Sequence, residues 1–417
     1  MPDPLFLEVA DRIGRRLCRD AVWSGSRCNW MGWGVELVGH NWSPVYRSHG
    51  SPIYDGTAGI GLFLAQLHRL TKDPLVKRAS LGALNRAVAA EDTFEPGMRA
   101  NFYCGWSGLA YACLVAGEAF EDAGLIRYAE TLLDRLAVLE PSEKYPDVCN
   151  GSAGAIPILI QLARTQGRPG LVEAAVRHGD MLLRLANRTA TGWSWRTIDI
   201  PGQPNLLGYS HGSGGIGSAL AELSVETSRD DFRQAAIEAF RYEDGYFSAA
   251  HNNWPDLRTN MGVAPAAAGP SYAVAWCHGS PGIGLSRLRA LELGFGANAV
   301  RKALDAAIVS TGISIEQRVE PGGSYCLCHG TGGNAELLLE SAGFLKRPDL
   351  VVRAENAAKV TASTFHAQDL PWPCGIMGGG ESPTFMIGIA GIGYSYLRMY
   401  NPALIPSVLL VRGTAAR

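Results

Sequence analysis

The chain has no surplus of positive charge. Its 37 Lys and Arg stand against 39 Asp and Glu, a formal net charge of −2, with a pI near 6.5. That excludes the basic footprint with which a domain gathers nucleic acid. No apolar run reaches the length of a membrane span. Residues 1–16 lack the basic-then-apolar order of a signal peptide, and residues 5–17 read as an ordinary amphipathic helix. No Cys-x-x-Cys pair occurs, which argues against a four-ligand structural zinc. Nine cysteines, an odd number with no export signal, argue against a disulfide framework. They point to a reducing cytoplasm and to metal or thiol chemistry.

What is present is a repeat. Residues 324–340 put Cys328 and His329 side by side before a Gly-x-x-Gly step and an apolar run. Residues 276–288 repeat the pattern with Cys277 and His278, and residues 209–220 repeat it with Ser210 and His211. The same glycine step follows Asp55, Cys104, Asn150 and Ile387. Seven units spaced roughly 45 to 65 residues apart indicate one supersecondary unit used around a stack or a circle. Glycine lets helix starts crowd together. The apolar run after each glycine pair is hydrophobic nearly all round, which predicts a buried inner helix. Amphipathic stretches between units, such as 124–139, 171–186 and 297–310, predict outer helices. The expected fold is therefore all-α, a double-layered α/α toroid of seven inner and seven outer helices. Length alone suggests two or three domains. The end-to-end repeat instead predicts a single domain over 1–417, with an irregular lead-in over 1–50 and repeats over about 51–400.

Other features are read from their neighbours. Cys18, Cys28 and Cys113 are expected as buried thiols. Cys104 and Cys149 precede glycines of the second and third units and are expected as bystanders. Asp147 stands at the mouth of the third unit, where a turn or capping aspartate is common. Residues 241–276 form the longest insertion, with an Ala/Pro/Gly segment over 262–270, and a lid and a surface excursion are both open for it.

Repeated thiols and imidazoles at equivalent positions predict a zinc site, one ion per chain. A zinc that does chemistry takes three protein ligands and leaves a position open. Cys277, Cys328 and His329 make the best set, with Cys326 and His278 as rivals that spacing does not dismiss. Two thiolates and one neutral imidazole cancel the charge of Zn²⁺, which suits activation of a substrate thiol more than of water. His211 is then free to move a proton near neutral pH.

These residues resemble the lanthionine synthetase C-like cyclases. The resemblance rests on the seven glycine steps, Trp276-Cys277-x-Gly279, Cys328-His329-Gly330 and Ser210-His211-Gly212, and it runs from about residue 5 to 400. Arg27-Cys28-Asn29-Trp30, Tyr54-Asp55-Gly56, the run Asn253-Trp254-Pro255-Asp256-Leu257-Arg258 and Gly391-Ile392-Gly393-Tyr394 look like one branch. That branch is the C-terminal cyclase domain of class II lanthipeptide synthetases. The resemblance implies zinc ligands at Cys277, Cys328 and His329, an acid/base at His211, and an aspartate at Asp147 that orients it. It implies Michael addition of a peptide cysteine to dehydroalanine or dehydrobutyrine. The partners it implies are a dehydrated precursor peptide and a separate dehydratase; with no room for that branch's dehydratase, the chain is expected to be a stand-alone cyclase or an excised domain. Relatives of class I often carry a tyrosine after the first zinc cysteine and an upstream arginine; here those positions are His278 and Ala273. His278 is thus the candidate to meet the enolate.

Two other readings remain. A zinc-bearing scaffold of this family would bind glutathione, another thiol or a peptide without making rings. Another α/α-toroid enzyme, such as a glycoside hydrolase, would need paired carboxylates facing the cavity, and the unit mouths offer mainly Asp55 and Asp147.

Overall fold

The structure is a computed structural model that describes residues 3–38, 41–199, 202–258, 270–317 and 323–414. Its helices are, in chain order, α1 (Pro4–Asp20), α2 (Thr57–Thr71), α3 (Pro74–Val88), α4 (Trp106–Phe120), α5 (Ala123–Ala137), α6 (Ser152–Gln166), α7 (Gly170–Leu185), α8 (Ser213–Thr227), α9 (Asp230–Asp244), α10 (Ser280–Glu292), α11 (Asn298–Gln317), α12 (Thr331–Leu345), α13 (Pro348–Thr361) and α14 (Ile389–Tyr400). Every even-numbered helix starts one residue after the first glycine of a repeat unit. These helices are buried nearly all round; in α2 every residue from Thr57 to His68 is buried. The odd-numbered helices are amphipathic. In α5 the buried residues Leu125, Ala129, Leu132, Leu133 and Leu136 form one stripe.

The even helices pack in sequence, α2 on α4 and so on to α12 on α14, and α14 packs on α2. That closes an inner ring. Each of α3, α5, α7, α9, α11 and α13 packs on the inner helix before it, and α1 packs on α14. The fold is an α/α toroid, as expected. The second glycine of each unit is required by a close approach. A Cβ at Gly215 or Gly333 would run into the carbonyl oxygen six residues earlier, Tyr209 or Leu327.

Residues 1–50, expected as an irregular lead-in after the first helix, contain two antiparallel hairpins instead. β1 (Val22–Ser24) pairs with β2 (Arg27–Asn29), and β3 (Met31–Val38) pairs with β4 (Asn41–Ser48). Gly32 and Gly34 lower the strand propensity of β3, but a Cβ at Gly32 would strike Pro383, so glycine lets the hairpin lie against that loop. A third short pair joins β5 (Asn187–Thr189) and β6 (Gly192–Ser194).

The two ends of the toroid differ. At the end where the inner helices begin, one residue from each unit lies in a belt of backbone hydrogen bonds. Tyr54 N–H donates to Tyr103 O, Cys149 to Ser210, Ser210 to Cys277, Cys277 to Cys328, Cys328 to Met386, and Met386 to Tyr54. The remaining step runs through Asn101, whose side chain accepts from Tyr103 N–H and donates to Val148 O. Below the belt, the C-terminal segment fills the axis. Tyr103 Oη donates to Val408 O at 2.8 Å, Trp276 Nε1 to Leu409 O at 3.0 Å, and Glu222 accepts from the backbone of Gly413 and Thr414. A buried ion-pair chain anchors it: Glu222–Arg289 at 2.6 Å, Arg289–Glu292 at 2.9 Å, Glu292–Arg412 at 2.8 Å and Arg412–Glu340 at 2.7 Å.

Candidate metal centre

The belt places the predicted donors. Cys277 and Cys328 occupy neighbouring positions in it, joined by the Cys277 N–H to Cys328 O bond of 3.2 Å. His278 and His329 follow them in sequence, as His211 follows Ser210. The ligand atoms of Cys277, Cys328 and His329 lie within 4.8 Å of one another, the one such Cys/His/carboxylate group among the described residues. The rivals Cys326 and His278 do not join it. A Cβ at Gly375 would meet both Cys326 Sγ and the His329 ring, so Cys326 lies beside the imidazole near Gly375.

The donor set suits a soft divalent cation. His329 Nε2 is 2.9 Å from Gly375 O and is the donor there, so Nδ1 keeps its lone pair for a metal. The Cys277 thiol is pulled well below its usual range, first by a hydrogen bond from the Cys328 thiol and next by His329, against the effect of burial. Cys328 is pushed up correspondingly, first by Cys277. The charge of Cys326, together with Cys277, holds His329 above the usual histidine range despite burial. The cluster therefore favours a positive charge at its centre, which a metal ion would supply in place of a proton. Tyr54, two places further round the belt, donates from Oη to Cys328 Sγ at 3.1 Å.

His211 and Asp147 meet beside the cluster. His211 Nδ1 is 2.8 Å from Asp147 Oδ2, and the side chains are 20% and 3% exposed. Asp147 is fixed in turn by the backbone N–H of Asn150 at 2.6 Å. Burial lowers the basicity of His211, but the charge and hydrogen bond of Asp147 outweigh it, and the net shift is upward. With Nδ1–H given to the carboxylate, Nε2 is the atom left to exchange a proton. The His278 ring lies 5.8 Å from that of His211. Burial pushes its pKa down to about 4, and its buried Nε2 has no partner among the described residues.

Cys149 belongs to the belt, and Cys104 lies beside it. The Cys104 thiol and burial both push the Cys149 pKa up, which leaves it an unreactive thiol. Cys28 and Cys113 are core residues; Cys18 is half-buried. Asp55 pairs with Arg47 at 3.2 Å, far in role from a paired catalytic carboxylate. In the 241–276 insertion, α9 continues to Asp244, and residues 259–269, with nearly all of the 262–270 segment, lie outside the described residues. Short bridges Ser248–Asn253, Asp256–Ser271 and Val274–Gly279 tie the rest to the segment that carries Cys277.

Sequence reasoning missed two residues here. Tyr54 had a signal: it stands five residues before the second glycine of its unit, the position of Cys277 and Cys328 in theirs. Arg258 ends the run Asn253–Arg258 that carries the resemblance to one branch, but it lies in a loop with no periodic pattern, and nothing in the sequence alone gives it a role. No helix among the described residues is long and apolar enough to cross a membrane.

Comparison with known proteins agrees with the fold. The model of the family described as lanthionine synthetase C-like protein matches residues 48–410. The glutathione S-transferase LANCL1 of Danio rerio is 26% identical over 319 residues, 72% of this chain and 72% of that protein. Among solved structures, nisin cyclase superposes with a TM-score of 0.62 at 18% identity, covering 87% of this chain and 92% of its own.

Proposed function

The chain belongs to the lanthionine synthetase C-like family, and on that premise we propose that it is a zinc-dependent peptide cyclase. Its substrate is a ribosomal peptide with cysteines and dehydroalanine or dehydrobutyrine, the product of an earlier dehydration in a reducing compartment. The product is a lanthionine or methyllanthionine ring. The observation that carries this reading is the cluster of Cys277, Cys328 and His329 beside the His211–Asp147 pair. One zinc ion on those three ligands would supply the acidity that keeps a peptide thiol deprotonated at neutral pH.

The chain's own residues account for the rest. The C-terminal segment blocks the axis from below, so the peptide approaches from the belt side, where Cys277, His211 and His329 are partly exposed. The peptide sulfur forms a bond to Cβ of the dehydro residue, and the double-bond pair moves toward the carbonyl to give an enolate. His211, oriented by Asp147, delivers a proton from Nε2 to Cα. The thiol's lost proton balances the one gained, so the ring has the mass of the open chain. His278, whose ring lies 5.8 Å from that of His211 and whose buried Nε2 has no partner among the described residues, would meet the enolate.

The test is incubation with a dehydrated, cysteine-containing peptide, followed by thiol alkylation and mass spectrometry. Ring formation is read as loss of alkylatable thiol. A second reading is favoured by the relative named as a glutathione S-transferase: a thiol- or glutathione-binding protein without ring formation. It predicts glutathione binding with every peptide thiol left alkylatable.

A further inference from the structure

Arg258 lies in the loop tied to the metal-cluster segment, and it has no place in the chemistry described so far. Its strap is held firmly. Asn253 Nδ2 donates to Ala273 O at 2.9 Å, and its Oδ1 accepts from Trp254 N–H at 2.8 Å. Trp254 is buried, and Asp256 N–H donates to Ser271 O at 2.7 Å. Asp256 then grips the guanidinium, accepting from Arg258 Nε at 2.9 Å and from Nη2 at 2.6 Å. Among the described residues no acceptor meets Nη1. The side chain is 29% exposed. It is close enough for its charge to bear on Cys277, Cys328, His211 and His278. A second observation points to a ligand here: Nε2 of His278, which has no partner among the described residues and belongs to a residue only 3% exposed.

We propose that Arg258 is a catalytic residue of the cyclase, its Nη1 binding the carbonyl oxygen of the dehydro residue. This rests on the cyclase reading above. In the addition step the negative charge arrives on that oxygen, so a fixed cation there acts on the transition state more than on the bound peptide. Arg258 gains nothing and loses nothing covalently. It holds the enolate oxygen until His211 protonates Cα and the carbonyl re-forms. The Asp256 grip fits this role, because a donor aimed in advance costs no reorganisation when the charge appears.

The experiment compares wild type, Arg258→Gln, Arg258→Lys and Asp256→Asn for bound zinc, thermal midpoint and cyclisation kinetics. It also measures the affinity for a peptide with alanine in place of each dehydroalanine. Arg258→Gln is expected to keep full zinc and unchanged affinity for the saturated peptide, while kcat falls about 10²-fold or more. Arg258→Lys should recover part of the loss, and Asp256→Asn should lose less than Arg258→Gln. If Arg258→Gln cyclises at the wild-type rate, or weakens the saturated peptide as much as it lowers kcat/KM, the assignment is overturned. Equal losses in Asp256→Asn and Arg258→Gln with no recovery in Arg258→Lys would make Arg258 a strap anchor and overturn it too. A wild type that leaves all peptide thiols free overturns the cyclase reading itself, whatever the variants do.

Discussion

Asp147 and His211, 64 residues apart in the chain, face each other at 2.8 Å across the mouth of the toroid. The carboxylate holds His211 above the ordinary histidine range although burial works against it. If His211 is the acid that protonates Cα, the rate falls as pH rises through its pKa. Asp147→Asn removes the raising influence, so the fall should begin at lower pH, with zinc content unchanged. His211→Asn should slow cyclisation by about 10²-fold or more, also with full zinc. A pH–rate profile of kcat for the three proteins decides this. An alkaline limb that stays in place in Asp147→Asn rules out the orienting role.

The cluster predicts metal content directly. Cys277→Ala, Cys328→Ala and His329→Ala should each lose bound zinc and cyclisation together, while Cys326→Ala and His278→Ala keep the ion. Tyr54→Phe should keep one zinc per chain but bind it about 10-fold more weakly, because it removes a hydrogen bond to a ligand sulfur. Elemental analysis gives the stoichiometry, and competition with a chromophoric chelator gives the affinity. Full zinc after all three ligand changes would disprove the site.

His178 links pH to stability. It lies on α7, buried, with Nδ1 2.7 Å from Ser152 Oγ, and burial pushes its pKa down to about 3. An unfolded histidine takes up a proton below about pH 6.5. The stabilisation is thus full above that pH and is lost as pH falls toward the folded value. Between pH 7 and pH 5 this group costs about 2 kcal/mol. Urea unfolding at the two pH values should show a smaller difference for His178→Gln than for wild type. Equal differences would show that other groups set the acid sensitivity.

The buried ion pairs should be unequal to the exposed ones. Arg289 is fully buried between Glu222 and Glu292. Arg289→Met leaves buried Glu222 without its ion-pair partner, although Glu292 keeps Arg412, and should destabilise the fold by about 3–5 kcal/mol. Arg301→Met breaks a half-exposed pair with Asp305 and should change stability by about 0.5 kcal/mol or less. Denaturant midpoints compare the two, and similar losses would contradict the burial argument.

The inner layer and the metal cluster were legible in the sequence for one physical reason. Each unit needs glycine where a carbonyl crowds the helix start, so the glycines mark the register, and the register marks the belt. Cys277, Cys328, His329 and His211 stand at fixed offsets from those marks. Arg258 and the axial C-terminal segment stand at none, since irregular backbone held by side chains leaves no period. The β3–β4 hairpin was hidden by Gly32, Gly34 and Pro44, which weaken strand propensity but suit an edge packed on a loop.

The packing of α1 on α14 bears on how the protein is made. A ribosome releases α1 early and α14 only after more than three hundred further residues, at roughly 5–20 residues per second. During that interval the face of α1 that carries Phe6, Val9 and Ile13 lacks its partner. The belt is equally late, because Met386 supplies both of its last links, to Cys328 and to Tyr54. A nascent chain can therefore hold all three cluster ligands and still have no metal centre of the native shape. The centre matures only when translation has passed the last inner helix, so a chain truncated before α14 is expected to be a client for chaperones and not a slower enzyme.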